Sequence, residues 1–192
     1  MIYLIRHAQS KANVNLRCTS HANIELTEQG KLQSEQLAIK LPHADRIFIS
    51  SFTRTLQTAK PLAVRDQLNP EVFDIHEFSY LSDFKCQNTT LEERKPFVDA
   101  YWTLADPYYK DAEDAESFAE FYQRVENFSG LLNDLKYLYQ VKKLMIFSHG
   151  QFLTLLKLIA FEHQELSKNL MNEFRKRTID NPIQNTDFFI YA

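Results

Sequence analysis

Short apolar runs that stop at polar residues recur along the chain, and they predict the strands of a buried sheet. The predicted strands cover residues 2–5, 46–49, 71–75, 144–147 and 187–191. The polar residues that follow the first four strands are Arg6-His7, Ser50-Ser51, His76-Glu77 and Ser148-His149-Gly150. The final run, from Asp187 to Tyr191, is predicted as an edge strand.

Apolar residues at helical spacing occupy the segments between these strands. Thr27 is a candidate N-cap for a helix over about residues 28–41, and Ser117 with Glu120 matches a capping box ahead of a longer helix. The predicted apolar face of the first helix consists of Leu32, Leu37 and Leu41. Two more helices are predicted, one that ends near residue 62 and one over residues 152–161.

The alternation of strands and helices predicts right-handed crossovers and a three-layer α/β/α sandwich around a mostly parallel sheet. A length of 192 residues suits one domain, so residues 1–192 are interpreted as a single domain. Residues 82–116 contain prolines, aromatic residues and mixed charge without one period, and are predicted to form a partly helical insert over the end of the sheet. Aromatic residues of this insert are candidates for lining a substrate entrance: Phe84, Tyr101, Trp102, Tyr108 and Tyr109.

Charge and composition narrow the possible partners. The net charge is −3 and there is no long basic run, so we expect neither nucleic acid nor a membrane surface as a partner. No apolar run reaches the roughly 18 residues of a membrane span, and the apolar start is too short for a signal-peptide core. Cys18 and Cys86 lie far apart, which favours free thiols and a cytoplasmic location. The oligomeric state stays open between monomer and homodimer.

The polar residues that follow the strands are expected to meet in the folded chain. The carboxyl ends of parallel strands share one rim, so Arg6-His7, His76-Glu77 and Ser148-His149-Gly150 converge there. Arg54 lies just beyond the end of the second strand. Two arginines, several histidines and one carboxylate at one place suit an anionic substrate that must receive a proton.

Three motifs resemble those of the histidine phosphatase, or phosphoglycerate mutase-like, superfamily. Residues Leu4 to Asn13 resemble the motif that opens this family, Ser51 to Ala59 its second motif and Phe147 to Gly150 its third. Residues 116–125 also resemble the start of the family's long helix. The motifs follow the family's order over nearly the whole chain. The resemblance implies a phosphoglycerate mutase-like fold and a phosphomonoester hydrolase.

The resemblance also implies a role for each matching residue. His7 would attack phosphorus as a neutral imidazole and form a phosphohistidine, which water then hydrolyses. Arg6 and Arg54 would bind phosphate oxygens with their planar guanidinium groups. His149 would donate a hydrogen bond to the phosphoryl group. Glu77 would protonate the leaving oxygen and then deprotonate the attacking water.

Further residues are candidates for binding the phosphate or the rest of the substrate. Asn13 and Thr19 align with positions that line the pocket in the family, and both side chains can donate hydrogen bonds. The helix that begins after Gly150 would present backbone N–H groups to the phosphate.

No metal or other cofactor is expected. His21 and His76 could suggest a zinc site with His7 and His149, but this spacing over different elements fits no particular metal geometry, and two arginines would repel a cation. The sequence therefore predicts a metal-independent histidine acid-type phosphatase. Its expected substrate is a small phosphorylated metabolite or a phosphoprotein.

Two other functions remain open. A phosphoglycerate mutase-type phosphotransferase would share these motifs, although residues 82–116 lack the basic run with a tyrosine that such mutases use to hold a carboxylated substrate. A non-catalytic phosphate-binding module would fit two departures from the family pattern. Ala8 replaces a glycine of the first motif, and Glu77 lacks the glycine and tryptophan that usually follow the family's acid.

Overall fold

A five-stranded sheet lies between two layers of helices in the structure, a computed structural model that describes residues 1–17, 20–140 and 142–191. The strands are β1 (Ile2–Arg6), β2 (Arg46–Ile49), β3 (Glu71–Val72), β4 (Leu144–Ser148) and β5 (Phe188–Tyr191). The helices are α1 (Glu28–Lys40), α2 (Thr53–Asp66), α3 (Asp83–Cys86), α4 (Leu91–Leu104), α5 (Phe118–Leu138), α6 (Gly150–Ala160) and α7 (Lys168–Asp180). A short 3-10 helix covers Lys11–Val14.

The strand order is β3-β2-β4-β1-β5, with β1 to β4 parallel and β5 antiparallel to β1. In the register, Arg6 lies opposite Ser148 and Ile49 lies opposite Phe147. The three inner strands therefore end level with one another, and the residues that follow them emerge at one rim. The predicted mostly parallel sheet in a three-layer sandwich is confirmed.

Each inner strand is buried on both faces, which explains its uninterrupted apolar sequence. One face packs against α5, α6 and α7, through residues that include Ile2, Leu4, Phe48, Leu144 and Ile146. The other face packs against α1 and α2, through Tyr3, Ile5, Ile47, Ile49, Met145 and Phe147. Helices on both faces hold the rim of the sheet in place from two sides.

The helix starts agree with the capping residues that the sequence suggests. The Thr27 hydroxyl accepts a hydrogen bond from the Gly30 N–H, and Ser117 and Glu120 form the predicted capping box of α5. The segment over residues 82–116, which the sequence analysis treats as an insert, contains α3 and α4. Within the described residues, no helix is long and apolar enough to cross a membrane.

Three details of the predicted elements are wrong. Strand β3 has two residues instead of five and lies at an edge of the sheet, so His76 and Glu77 reach the rim on a loop. Leu32 of α1 is 53% exposed, because this helix packs through small residues together with Leu37. Helix α7 was not predicted, since its buried stripe is narrow and most of its other residues are polar or charged.

Candidate active site

His7 follows β1 directly and lies at the centre of the rim. Its backbone N–H donates to the carbonyl oxygen of Ser148 at 3.0 Å, which continues the pairing of β1 with β4. The side chain is 3% exposed, and its Nδ1 lies 2.7 Å from the carbonyl oxygen of Ala8. Because a carbonyl oxygen only accepts, Nδ1 carries the proton of the neutral ring and Nε2 keeps a lone pair.

The surroundings of His7 favour its neutral form. Burial lowers the pKa of the imidazole well below its ordinary value, and the neighbouring cations of Arg54 and Arg6 lower it further. The Nε–H of Arg54 donates to His7 Nε2 at 3.2 Å. This hydrogen bond requires an unprotonated Nε2, so geometry and electrostatics agree on the same tautomer.

The loop after His7 is held by α1 and α2. The N–H of Ala8 donates to Thr58 Oγ1 at 3.0 Å, and the N–H of Thr27 donates to the carbonyl oxygen of Gln9 at 3.0 Å. Ala8 is fully buried, its backbone is not in the left-handed region, and its side chain does not line the cavity described below. The methyl group that replaces the family's glycine therefore takes no space from that cavity.

Two arginines from different elements lie at the rim, Arg54 from helix α2 and Arg6 from the end of strand β1. Arg54 lies in the first turn of α2, is 5% exposed, and donates from Nη1 to the carbonyl oxygen of His21 at 2.7 Å. Arg6 ends β1 and donates from Nη1 to the carbonyl oxygen of Ile183. Burial lowers the pKa of Arg6, while the charges of Glu77 and Asp187 raise it. Both groups bring positive charge to His7.

His149 packs against His7 and does not line the cavity described below. It is fully buried, and its ring centroid stands 5.1 Å from that of His7. Its Nε2 lies 2.8 Å from Ser50 Oγ, while its buried Nδ1 has no hydrogen-bond partner in the described part of the chain. Burial lowers the pKa of His149 well below its ordinary value, and the cation of Arg54 adds to the effect. The sequence reasoning missed Ser50, although it follows β2 as His149 follows β4.

Glu77 reaches the rim and binds the start of α6. Its Oε1 accepts from the backbone N–H of Gln151 at 3.1 Å and from that of Phe152 at 3.2 Å. The first N–H groups of α6 thus point at a carboxylate, whereas the sequence predicted that they would face the phosphate. Gly150 does not line the cavity with His7; it lies against the guanidinium of Arg6.

Asn13 lies at the mouth of the site and is oriented by its neighbours. Its Oδ1 accepts from the N–H and from the hydroxyl of Ser10, both at 2.9 Å, so the amide nitrogen is the atom left to donate. Asn185, which the sequence reasoning did not select, donates from Nδ2 to the carbonyl oxygen of His7 at 2.9 Å. Thr19, the other predicted pocket residue, lies outside the described residues.

A cavity of about 220 Å³ connects these groups to the insert. Its polar lining includes Arg6, His7, Asn13, Arg54 and Glu77. Helix α4 contributes Leu91, Arg94 and Val98. The five insert aromatic residues proposed for the entrance do not line it; Tyr101, for example, is 3% exposed and packs in the core.

The remaining histidines of the zinc hypothesis have other contacts. His76 pairs with Asp74 at 3.1 Å and stacks on Phe52, and the backbone N–H of His21 donates to Asp83. Among the described residues, no three His, Cys, Asp or Glu side chains are grouped so that they could hold a metal ion.

Comparison with known proteins gives a family match and several relatives. The sequence model of one protein family, the histidine phosphatase superfamily (branch 1), matches residues 2–176 of this chain. The adenosylcobalamin/alpha-ribazole phosphatase of Salmonella typhimurium is 29% identical over 167 residues, which cover 81% of this chain and 76% of the relative. Phosphoserine phosphatase 1 of Hydrogenobacter thermophilus is 30% identical over 132 residues, with 66% and 61% covered.

Solved structures with a similar fold include several phosphatases. The alpha-ribazole phosphatase from Shigella flexneri superposes with a TM-score of 0.70 at 21% identity, covering 97% of this chain and 87% of that one. The phosphoserine phosphatase from Entamoeba histolytica, in complex with 3-phosphoglyceric acid, gives the same TM-score of 0.70, 21% identity and the same coverage of 97% and 87%. At these identities the likeness establishes the fold.

Proposed function

Because the chain belongs to the histidine phosphatase superfamily, we propose that it is a phosphomonoester hydrolase that forms a phosphohistidine intermediate on His7. One observation carries the proposal. His7 Nε2 keeps its lone pair beside the Arg54 guanidinium, 3.2 Å away, in a residue that lines an open cavity. A nucleophile held next to a cation suits attack on a phosphorus atom whose oxygens are negatively charged.

The first chemical step transfers the phosphoryl group to the enzyme. His7 Nε2 attacks phosphorus, the bond between phosphorus and the leaving oxygen breaks, and the protonated Glu77 gives its proton to that oxygen. Arg54 and Arg6 neutralise the charge on the other phosphoryl oxygens. We assign to His149 a hydrogen bond to the phosphoryl group. Its Nδ1 is the donor, because Nε2 lies 2.8 Å from Ser50 Oγ and Nδ1 has no partner among the described residues.

The second step releases phosphate. The Glu77 carboxylate takes a proton from a water molecule, whose oxygen attacks the phosphohistidine, and the phosphorus–nitrogen bond breaks. His7 regains its lone pair and Glu77 its proton. No step requires a metal ion, since two guanidinium groups supply the positive charge, so we propose a metal-independent enzyme of the histidine acid-type class.

The relatives support a small phosphorylated metabolite as the substrate. They are named as an adenosylcobalamin/alpha-ribazole phosphatase and a phosphoserine phosphatase, and the cavity of about 220 Å³ suits a molecule of modest size. A phosphate-binding protein without catalysis would not need a nucleophile between cations.

Hydrolysis of p-nitrophenyl phosphate in excess chelator tests the proposal. The wild type should turn over this substrate. Rapid denaturation in alkaline detergent during turnover of a labelled phosphomonoester should trap a phosphoenzyme that survives alkali and loses its label in acid. His7→Asn should abolish both. His163→Asn is the matched control, because His163 is exposed and its backbone has a positive φ of 52°, which asparagine tolerates.

Phosphate binding without any phosphoenzyme would instead support a binding module, and stimulation by a bisphosphorylated primer would support a mutase.

A further inference from the structure

Helix α4 of the insert forms one wall of the active-site cavity. Leu91, Arg94 and Val98 line it, and their spacing of three and four residues places them on one face of the helix. Apolar side chains of Ile24, Phe78 and Leu81 line other parts of the cavity. Arg94 is therefore the cation that the insert contributes to this space.

Arg94 is buried without a matching carboxylate. It is 9% exposed, and its Nε and Nη2 donate to the carbonyl oxygens of Thr90 at 3.1 Å and Thr89 at 3.4 Å. Over residues 1–17, 20–140 and 142–191, no carboxylate lies within ion-pair distance of its guanidinium. The neighbouring Glu93 is bound by Arg17 at 2.6 Å.

His21 lies near both Arg94 and Arg54, the arginine proposed to bind the phosphoryl group. Both Arg94 and Arg54 lower the pKa of the His21 imidazole, after the larger effect of burial, while Asp83 raises it. His21 therefore lies within electrostatic reach of both guanidinium groups, and it lines the same cavity. Arg54 and Arg94 line the same cavity, so one ligand in this cavity can lie close to both guanidinium groups.

A buried cation that lacks a counter-charge is costly, and an acidic ligand would remove that cost. We propose that the substrate carries a second anionic group, and that Arg94 binds this group while Arg6 and Arg54 hold the phosphoryl group. The inference rests on the proposed phosphatase activity and assigns its specificity to Arg94. The planar guanidinium suits a carboxylate and a second phosphate alike.

Two pairs of substrates test the second anionic group in the wild-type enzyme. 3-Phosphoglycerate and glycerol 3-phosphate differ only in a carboxylate against a hydroxymethyl group. Propane-1,3-diol bisphosphate and its monophosphate differ in the second phosphate. The acidic member of at least one pair should have a kcat/KM at least about tenfold higher. The pair that shows the difference identifies which anion Arg94 binds.

Variants of Arg94 test the assignment to this residue. Arg94→Gln should raise the KM of the preferred acidic substrate by about 10- to 100-fold and leave p-nitrophenyl phosphate hydrolysis within about threefold. Arg94→Lys keeps the positive charge but loses the planar guanidinium, so its KM for the acidic substrate should lie between those of the wild type and Arg94→Gln. Lys95→Gln is the matched control, because it removes one charge from the same helix at an exposed position paired with Asp99.

Equal kcat/KM within both substrate pairs would overturn the proposal, whether or not the variants fold. So would an Arg94→Gln enzyme that loses aryl phosphate and acidic substrate activity to the same extent, with an unchanged melting temperature, since that result indicates a structural role. Absence of aryl phosphate hydrolysis in the wild type would refute the proposed function itself. The two failures are therefore distinguishable.

Discussion

The guanidinium of Arg6 lies directly against the backbone of Gly150. A β-carbon on Gly150 would stand 3.2 Å from Nε of Arg6 and 3.3 Å from its Cζ. These are tight distances, so the absence of a side chain at the start of α6 gives the arginine its place beside the cavity. The sequence analysis selected Gly150 because it starts a helix, whereas in the structure its lack of a side chain leaves space for the Arg6 guanidinium.

Gly150→Ala should weaken catalysis by displacing Arg6. The guanidinium has to move by a few tenths of an ångström, and loss of its alignment should lower kcat/KM for p-nitrophenyl phosphate by about tenfold. Steady-state kinetics with a melting curve measure the effect. Unchanged kinetics in a folded Gly150→Ala protein would show that the position of Arg6 is not critical.

Gly30→Ala should destabilise the fold. A β-carbon at Gly30 would lie 2.0 Å from the carbonyl oxygen of Gln9, so the backbone of α1 or of the loop after His7 must shift. The expected loss in the free energy of unfolding is about 1–3 kcal/mol, measured by urea denaturation. Gly130→Ala is the control: its β-carbon meets nothing within 4 Å inside α5, and stability should rise by about 0.5–1 kcal/mol. Equal effects would contradict the packing argument.

Glu77→Gln separates catalysis from helix capping. The amide oxygen of glutamine can still accept from the N–H groups of Gln151 and Phe152, but the side chain cannot transfer a proton. We expect kcat for an alkyl phosphate to fall by about 10²- to 10⁴-fold, with a smaller loss for p-nitrophenyl phosphate, whose leaving group needs little protonation. The melting temperature should stay near that of the wild type, whereas Glu77→Ala should lower it. An equal loss for both substrates would argue against the proton-transfer role.

Stability should fall on acidification because two histidines are buried in their neutral form. The folded pKa values of His7 and His149 lie well below the ordinary value, so below about pH 6.5 the unfolded chain binds protons that the folded chain does not. Each histidine then contributes a loss of about 1.4 kcal/mol per pH unit, and the stabilising contribution is fully present only above that pH. Urea unfolding in phosphate-free buffers between pH 7 and 5 measures the slope. His7→Asn should reduce it by about one proton; an unchanged slope would mean that His7 titrates normally in the folded protein.

The amino-acid sequence by itself determined the inner sheet and the centre of the site. The apolar runs of β1, β2 and β4 are buried on both faces, and this kind of strand is recognisable without its partners. Since parallel strands end at one rim, Arg6, His7 and His149 had to emerge together. The phosphatase assignment followed from the motifs that carry these residues, and the family match agrees with it.

Only the tertiary structure decided the environment of each side chain. Glu77 binds Gln151 from 74 positions away, and Asn185 binds the carbonyl oxygen of His7 from 178 positions away. Arg94 lines a cavity whose other lining residues come from several distant segments. Such contacts leave no periodic signal, because they depend on loops whose paths are fixed by packing rather than by local preference. The inner strands and the polar residues at their ends can be inferred from local pattern. The strand order, the hydrogen-bond partners of each side chain and the surroundings of Arg94 depend on how distant segments meet.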